Sequence, residues 1–205
     1  CSASVPQRPP PGSERSTKGP LARRGAGGYV WGDETTLLNT IVGTRRVPRL
    51  RPPFPTDSGL WGLPTVINNV ETLCNIPSIM AKGPQSFASV GTENAKGTKL
   101  ICLSGAVQRP GLAEVPMGTT LNHIVFKVGG GTLPGHSLSA VACGGPSSGV
   151  LPPHMIDTQV GPGTLHESGV VLGAGGIIVV DERTPIIDVV SKLAQYNADE
   201  SCGKC

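Results

Sequence analysis

The two cysteines near the C-terminal end are the residues whose spacing most directly suggests chemistry. Cys202 and Cys205 form a Cys-x-x-Cys pair, and Gly203 between them lets backbone amides turn toward the sulfur atoms. This spacing occurs in zinc sites, in iron–sulfur clusters and in redox dithiols. The pair alone predicts a metal or cluster site first, with a dithiol or an incidental structural role as alternatives.

A second group of candidates lies in the first third of the chain. Glycines within residues 25–32 allow the backbone to approach a ligand closely. Asp33 and Glu34 fall in the predicted first turn of a helix, where the helix dipole favours acids. Asn68 and Asn69 offer amide donors and acceptors at a second helix start. Taken singly, these residues are also typical of a turn, of ordinary first-turn acids and of an N-cap.

The elements that position these candidates begin with a predicted short strand at 29–31. Leu37, Leu38 and Ile41 then share one helix face, and Gly43 is the expected stop. A loop with four arginines and four prolines follows, and we interpret its basic residues as a solvated surface rather than a phosphate grip.

The next predicted helix starts with Asn68 as N-cap and Glu71 as the partner in a capping box, and Pro77 should break or kink it. Beyond a linker at 84–97, the pattern is that of a compact β+α module. Its predicted elements are strands at 99–104 and 112–115, a helix from Thr119 or Thr120 to Val128, strands at 137–143 and 176–180, and a final helix at 185–197.

Composition excludes several classes of protein. No apolar run among the 205 residues approaches the roughly 20 that span a bilayer, which predicts no membrane span. The net charge of +3 arises in residues 1–24, which hold five Lys and Arg against one Glu, so it gives no evidence of a nucleic-acid surface. Cys74, Cys102 and Cys143 lie singly in apolar segments, which predicts small core residues.

Several stretches together resemble the NADH-binding flavoprotein subunit of respiratory complex I, and the related flavin subunits of NAD-linked formate dehydrogenases and hydrogenases. They are residues 25–35, 48–55, 67–72 and 116–120. The terminal Glu-Ser-Cys-Gly-Lys-Cys is similar to the start of the cluster motif in the same family. The resemblance runs from residue 24 to the end.

The resemblance implies an α/β plus α+β architecture made of three parts of a longer protein. They are the C-terminal part of a Rossmann-like FMN-binding domain at 25–83, a β-grasp (SLBB, ubiquitin-like) domain at 98–181, and the start of a helical 4Fe–4S-binding domain at 184–205. Residues 1–24 are interpreted as a disordered or mis-joined arm. The chain is thus expected to be an internal fragment.

The resemblance also implies cofactors and the residues that hold them. Cys202 and Cys205 would be the first two of four ligands to a 4Fe–4S cluster. Phe54 would help stack the adenine of NADH, and Asp33 stands where the family usually has glutamate. Since residues 1–22 do not match the family's first glycine-rich stretch, the fragment alone should neither hold FMN tightly nor build the cluster. FMN would be held by Tyr29, Gly32, Asp33, Glu34, Asn68, Asn69 and Thr72.

The implied function is transfer of a hydride from NADH to FMN, then of single electrons to the 4Fe–4S cluster and to a partner 2Fe–2S (24 kDa-type) subunit and further iron–sulfur subunits. Quinone is the final acceptor in complex I. The alternatives are a diaphorase subunit of a formate dehydrogenase or hydrogenase, a non-catalytic docking module, or structural zinc at the terminal cysteines. The expected location is the cytoplasm, or the inner face of an energy-transducing membrane as a peripheral subunit.

Overall fold

The structure is a computed structural model that describes residues 29–204. The described residues divide into two compact units: one contains residues 29–73 and 198–204, and the other is Cys74–Asn197. Within the described range, no helix has both the length and the apolar character needed to cross a membrane. The domain limits given above stay predictions.

The first unit is built from short helices. They are the 3-10 helix Tyr29–Gly32, α1 (Glu34–Val42), α2 (Pro55–Ser58), the 3-10 helix Leu60–Gly62 and the start of α3 (Val70–Lys82). The predicted helix after residue 33 is confirmed, and it ends at Gly43, whose φ of 79° is in the left-handed region. The strand predicted at 29–31 is wrong. These residues close a 3-10 turn, in which the Asp33 N–H donates to the Val30 carbonyl at 3.2 Å.

Helix α3 begins one residue later than predicted. Asn69 is the N-cap, because its Oδ1 accepts hydrogen bonds from the backbone N–H groups of Glu71 (2.8 Å) and Thr72 (3.3 Å). The prediction of Asn68 as N-cap is therefore wrong, and Glu71 is too early in the helix for the predicted capping box. The helix also continues through Pro77 to Lys82 without a break.

The second unit contains a five-stranded mixed sheet in the order β2-β1-β5-β3-β4. Strand β1 pairs antiparallel with β2 and parallel with β5, and β3 pairs antiparallel with both β5 and β4. The predicted hairpin and the two later strands are confirmed, and β4 was not predicted. The strands are β1 (Thr98–Gly105), β2 (Gly111–Pro116), β3 (Leu138–Cys143), β4 (Val150–Leu151) and β5 (Gly176–Asp181).

A helix predicted to start at Thr119 or Thr120 packs on this sheet. The Thr120 hydroxyl accepts from the His123 N–H at 3.2 Å. Residues 121–122 are α-helical, and His123–Val128 form a π-helix, which the sequence pattern did not indicate. Leu121, Ile124 and Val125 are fully buried, so this helix closes the core of the β-grasp module.

The three middle cysteines do not all belong to the core. Cys143 is buried, and burial raises the pKa of its thiol to about 12. Cys74 and Cys102 are exposed, so the prediction that they are core residues is wrong. On β1 the side chains alternate, with Ile101 and Leu103 buried and Cys102 on the opposite face.

Two shorter helices and the final helix complete the second unit. α4 (Pro84–Ala88) lies in the segment predicted as a linker, and α5 (Pro162–Glu167) comes after β4 in the chain. The predicted last helix is confirmed as α6 (Ile186–Asp199). Asn197 anchors it, because its Nδ2 donates to the Pro146 carbonyl at 2.8 Å.

Candidate functional site

Asp33 organises the start of α1. It is the N-cap, and its Oδ2 accepts from the Thr36 N–H (2.8 Å), from the Thr36 hydroxyl (3.0 Å) and from the Thr35 hydroxyl (2.5 Å). Both threonines are buried. Burial works to raise the pKa of Asp33, but these hydrogen bonds and the charge of Arg51 outweigh it, and the pKa lies below its ordinary value. An aspartate suits this N-cap role.

Arg51 ties the arginine-rich loop to the same acids. Its Nη2 lies 3.1 Å from Asp33 Oδ1 and 3.0 Å from Glu34 Oε1. One guanidinium therefore contacts both carboxylates that the sequence marks as candidates. Arg51 is exposed, as the predicted solvated loop requires, but it also pairs with two acids.

Arg49 and Asn39 fix the middle of the loop. The Asn39 side chain donates to the Val47 carbonyl (2.8 Å) and accepts from Arg49 Nε (2.7 Å), so it brackets Pro48 from both sides. The Arg49 N–H donates to the buried Thr35 hydroxyl at 2.9 Å. The loop is thus held by α1 through directional bonds, and no sequence motif indicated Asn39 or Thr35 for this role.

The aromatic candidates are open to solvent. Tyr29 is 47% exposed and Phe54 is 50% exposed, although rings of this size are usually more buried. Phe54 lies three residues after Arg51 and immediately before α2, so the loop that Arg51 anchors leads directly to it. At Gly32 an added Cβ would meet nothing within 4 Å, so the backbone there is also accessible.

The amide candidates lie at the start of α3. Asn68, Asn69 and Thr72 are all exposed. Asn69 uses its side-chain oxygen to cap the helix, and Thr72 lies in the first turn, where its N–H is one of the capped donors. The segment before them is tied to α2, since the Thr65 N–H donates to the Pro55 carbonyl at 2.8 Å.

The segment that carries Cys202 belongs to the same compact unit. Glu200 Oε2 accepts from the Tyr29 N–H at 2.9 Å, and Lys204 Nζ donates to the Pro48 carbonyl at 2.7 Å. Cys202, between them, is half-buried. Cys205 lies outside the described residues. The structure thus joins the residues on either side of Cys202 to Tyr29 and Pro48, and Glu200 and Lys204 were not predicted to take part.

Only one of the predicted cysteine ligands can be assessed in the structure. Within residues 29–204, no group of three or more His, Cys, Asp and Glu side chains is arranged to hold a metal ion. Of the two cysteines predicted as cluster ligands, the described residues include Cys202 alone. A complete ligand set is therefore not formed by this part of the chain.

Comparison with known proteins agrees with this geometry. Residues 16–78 match the Nuo51 FMN-binding domain, and residues 100–151 match the SLBB domain. The chain is 43% identical over 182 residues to the F 2 subunit of the NADH-quinone oxidoreductase of Rhizobium meliloti (strain 1021), an alignment that covers 89% of this chain and 43% of the relative. It is 42% identical over 181 residues to the HndC subunit of the NADP-reducing hydrogenase of Solidesulfovibrio fructosivorans, covering 88% and 37%.

A solved structure shows the same fold. The crystal structure of an NAD⁺-reducing [NiFe]-hydrogenase in the H₂-reduced state matches with a TM-score of 0.78 and 37% identity, over 88% of this chain and 30% of that one. The fold and the site therefore define a flavoprotein-type chain, in which an FMN-binding region is followed by an SLBB domain. Over 88–89% of its length the chain is similar to an F subunit of an NADH-quinone oxidoreductase and to a hydrogenase subunit. It spans less than half the length of the two relatives named above.

The residues present fit one side of a flavin site. Accessible backbone at Gly32, an exposed ring at Tyr29 and exposed polar side chains at Asn68 and Thr72 are groups that can face a flat aromatic cofactor. Asp33, by contrast, directs its oxygens to its own helix and to Arg51. We therefore expect Asp33 to shape the site rather than to bind the flavin ring through its carboxylate.

Proposed function

We propose that this chain is the part of an NADH-oxidising flavoprotein subunit that makes one side of the FMN site and supplies the first ligands of a 4Fe–4S cluster. One observation carries the proposal. The flavin-site segment (residues 29–34) and the Cys202 segment (residues 200–204) lie in one compact unit. They are joined by the Tyr29–Glu200 hydrogen bond, although the two residues are 171 positions apart in the sequence. A site that relays electrons needs its two cofactors close together.

The chain's residues have positioning roles in this proposal. When bound, FMN supplies the acceptance of a hydride from NADH and the release of single electrons to an iron–sulfur centre. The exposed rings of Tyr29 and Phe54 offer stacking surfaces, Phe54 for the adenine of NADH. Asn68 and Thr72 offer hydrogen-bond partners to the flavin. No strong general base is needed, since the protein's task is to orient two flat rings.

The same proposal includes the electron acceptors and the location of the protein. Cys202 and Cys205 would supply the first ligands of the cluster, which would pass electrons to a partner 2Fe–2S subunit and further iron–sulfur subunits, with quinone as the final acceptor. Reduced thiolates require a reducing compartment. This favours the cytoplasm, or the inner face of an energy-transducing membrane with the protein as a peripheral subunit.

A second candidate function is the diaphorase subunit of a hydrogenase or formate dehydrogenase. It is supported by the 42% identity to HndC and by the structural match to an NAD⁺-reducing hydrogenase. Purification of the native complex that contains this chain separates the two. NADH-dependent reduction of a quinone analogue supports the first function, and hydrogen- or formate-dependent reduction of NAD⁺ supports the second. A complex that does neither would favour a docking module.

The flavin site itself can be tested on this chain. We expect FMN added at millimolar concentration to shift the NMR amide signals of Tyr29, Asn68 and Thr72, and to leave that of buried Ile124 unchanged. The purified chain should carry no stoichiometric yellow absorbance, because it provides only one side of the site. Shifts confined to residues 98–181, or none at all, would contradict the proposed site.

A further inference from the structure

Two hydrogen bonds hold the residues on either side of Cys202, each made by a residue two positions away. Glu200 is two residues before Cys202 and accepts from the Tyr29 N–H, and Lys204 is two residues after it and donates to the Pro48 carbonyl. Neither bond is needed to form α6, which ends at Asp199. They hold the segment that follows the helix.

The acceptor at Pro48 is held in place independently of Lys204. The ring of proline fixes φ, and the Asn39 side chain binds both the residue before Pro48 and the residue after it. Arg49 is further fixed by its N–H bond to the buried Thr35 hydroxyl. Lys204 therefore binds a carbonyl whose position α1 sets.

The donor at Tyr29 is one that its own helix cannot satisfy. Tyr29 is the first residue of a 3-10 helix, and the first N–H groups of a helix have no partner within it. The carboxylate of Glu200 meets this N–H at 2.9 Å and places negative charge at the positive end of the turn.

The backbone between the two bonds is compact. The Ser201 N–H donates to the Ala198 carbonyl at 3.3 Å, and the Ser201 hydroxyl accepts from the Gly203 N–H at 3.2 Å, across Cys202. Gly203 has a φ of 73°, a left-handed conformation that favours glycine, and it turns the chain so that Lys204 can reach Pro48.

We propose that Glu200 and Lys204 form a clasp that positions the Cys202 thiol against the flavin-site segment. The clasp consists of the Glu200–Tyr29 and Lys204–Pro48 hydrogen bonds. Both are positioning residues: neither is a metal ligand, and each acts by holding the backbone of Cys202. In its bearing on electron transfer, this inference rests on the proposed function, since the clasp would set the separation between the cluster and the flavin.

The clasp can be measured on the chain without any cofactor. Peptide-resolved maleimide labelling gives the reaction rate of each thiol separately, and amide exchange by NMR reports the Tyr29 N–H. We expect Glu200→Ala and Lys204→Met each to raise the labelling rate of Cys202 about three- to tenfold, the range expected for loss of one hydrogen bond. Glu200→Ala should also speed the exchange of the Tyr29 amide.

Matched variants separate the clasp from a general loss of structure. Glu200→Gln keeps an acceptor oxygen and Lys204→Arg keeps a donor, so both should restore most of the protection. The exposed Cys74 and Cys102 should label at an unchanged rate in every variant. Lys192→Met removes a different exposed lysine, which lies on α6, and should leave the labelling rate of Cys202 unchanged.

Two results would overturn the proposal. One is an unchanged labelling rate of Cys202 in both Glu200→Ala and Lys204→Met. The other is an equal rise in the conservative and the disruptive variants. Because no FMN or iron is present, these results do not depend on the proposed function. If labelling confirms the clasp but the FMN titration shows no binding, the clasp remains supported and its role in electron transfer does not.

Discussion

The two units of the chain are stabilised in different ways. Among the described residues, Leu38 is the only buried leucine, isoleucine or valine outside Cys74–Asn197. The β-grasp unit packs a continuous apolar core between its sheet and the helix at 121–128. The unit with the candidate site depends on bonds between polar side chains and backbone, centred on Asp33, Asn39 and Arg49. Apolar burial stabilises the first arrangement broadly, whereas directional bonds make the second sensitive to single polar changes.

The largest expected effect tests the apolar core of the β-grasp unit. Ile124→Ala removes a fully buried side chain, and we expect it to lower the free energy of unfolding of that unit by about 2–5 kcal/mol. Urea denaturation with residue-resolved amide exchange measures the two units separately. Ile187→Ala is the control, because Ile187 is 69% exposed and its loss should have little effect. Equal losses in the two variants would mean that the described core does not dominate stability.

A smaller effect is expected in the polar network. Asp33→Ala removes the N-cap and the Arg51 partner, and should destabilise α1 by about 0.5–2 kcal/mol. Amide exchange should rise in residues 34–51 and stay unchanged in the sheet. Glu34→Ala is the matched control, because it removes the other acid beside Arg51 but leaves the cap intact. A rise in the sheet would show that the two units are not independent.

The same carboxylate gives the first unit a pH dependence. Because the pKa of Asp33 is lower in the folded chain, its stabilising effect is complete above the ordinary value of 3.8 and is lost as the pH falls through the lower folded value. Acid titration followed by amide exchange of α1 should show this loss. Asp33→Asn keeps a capping oxygen and should remove that part of the pH dependence.

The smallest effect separates two neighbouring asparagines. Asn69→Ala removes the cap of α3 and should cost about 1 kcal/mol of local stability, whereas Asn68→Ala lies outside the helix and should cost much less. Exchange rates of the amides of Glu71 and Thr72 measure the difference directly. If Asn68→Ala had the larger effect on these amides, the helix would begin where the sequence pattern placed it.

Periodic patterns in the sequence predicted the elements whose faces differ in polarity. The helix with Leu37, Leu38 and Ile41 and the hairpin of the β-grasp unit both follow from such patterns, because burial of one face decides them. The short stretch at 29–31 contains no such pattern, and a strand there would need a partner that a three-residue window does not reveal. At residues 68–69 two equivalent caps stand side by side, so composition alone does not choose between them.

The candidate site was predicted less completely than the fold. Motifs marked Asp33, Glu34 and Cys202, but some of the contacts around them come from residues distant in sequence: Arg51 for the two acids, and Tyr29 and Pro48 for the residues beside Cys202. Asn39 and Lys204 are ordinary polar residues whose roles appear only when α1, the loop and the chain's end are brought together. Cys102 was misplaced for a related reason, since an apolar run does not tell which face of a strand points inward.

The bond between Tyr29 and Glu200 also has a consequence for the order of folding. The chain leaves the first unit after Leu73 and returns to it at Ala198, so the whole β-grasp unit is an insertion within the first. Closing an unfolded loop has an entropic cost, which rises by about 0.6 kcal/mol for each doubling of the loop's length. One exposed hydrogen bond contributes little against the whole cost of closing this loop. Folding of the inserted sheet replaces most of that loop with a rigid body. We therefore expect the two ends of the first unit to join late, after the sheet has formed.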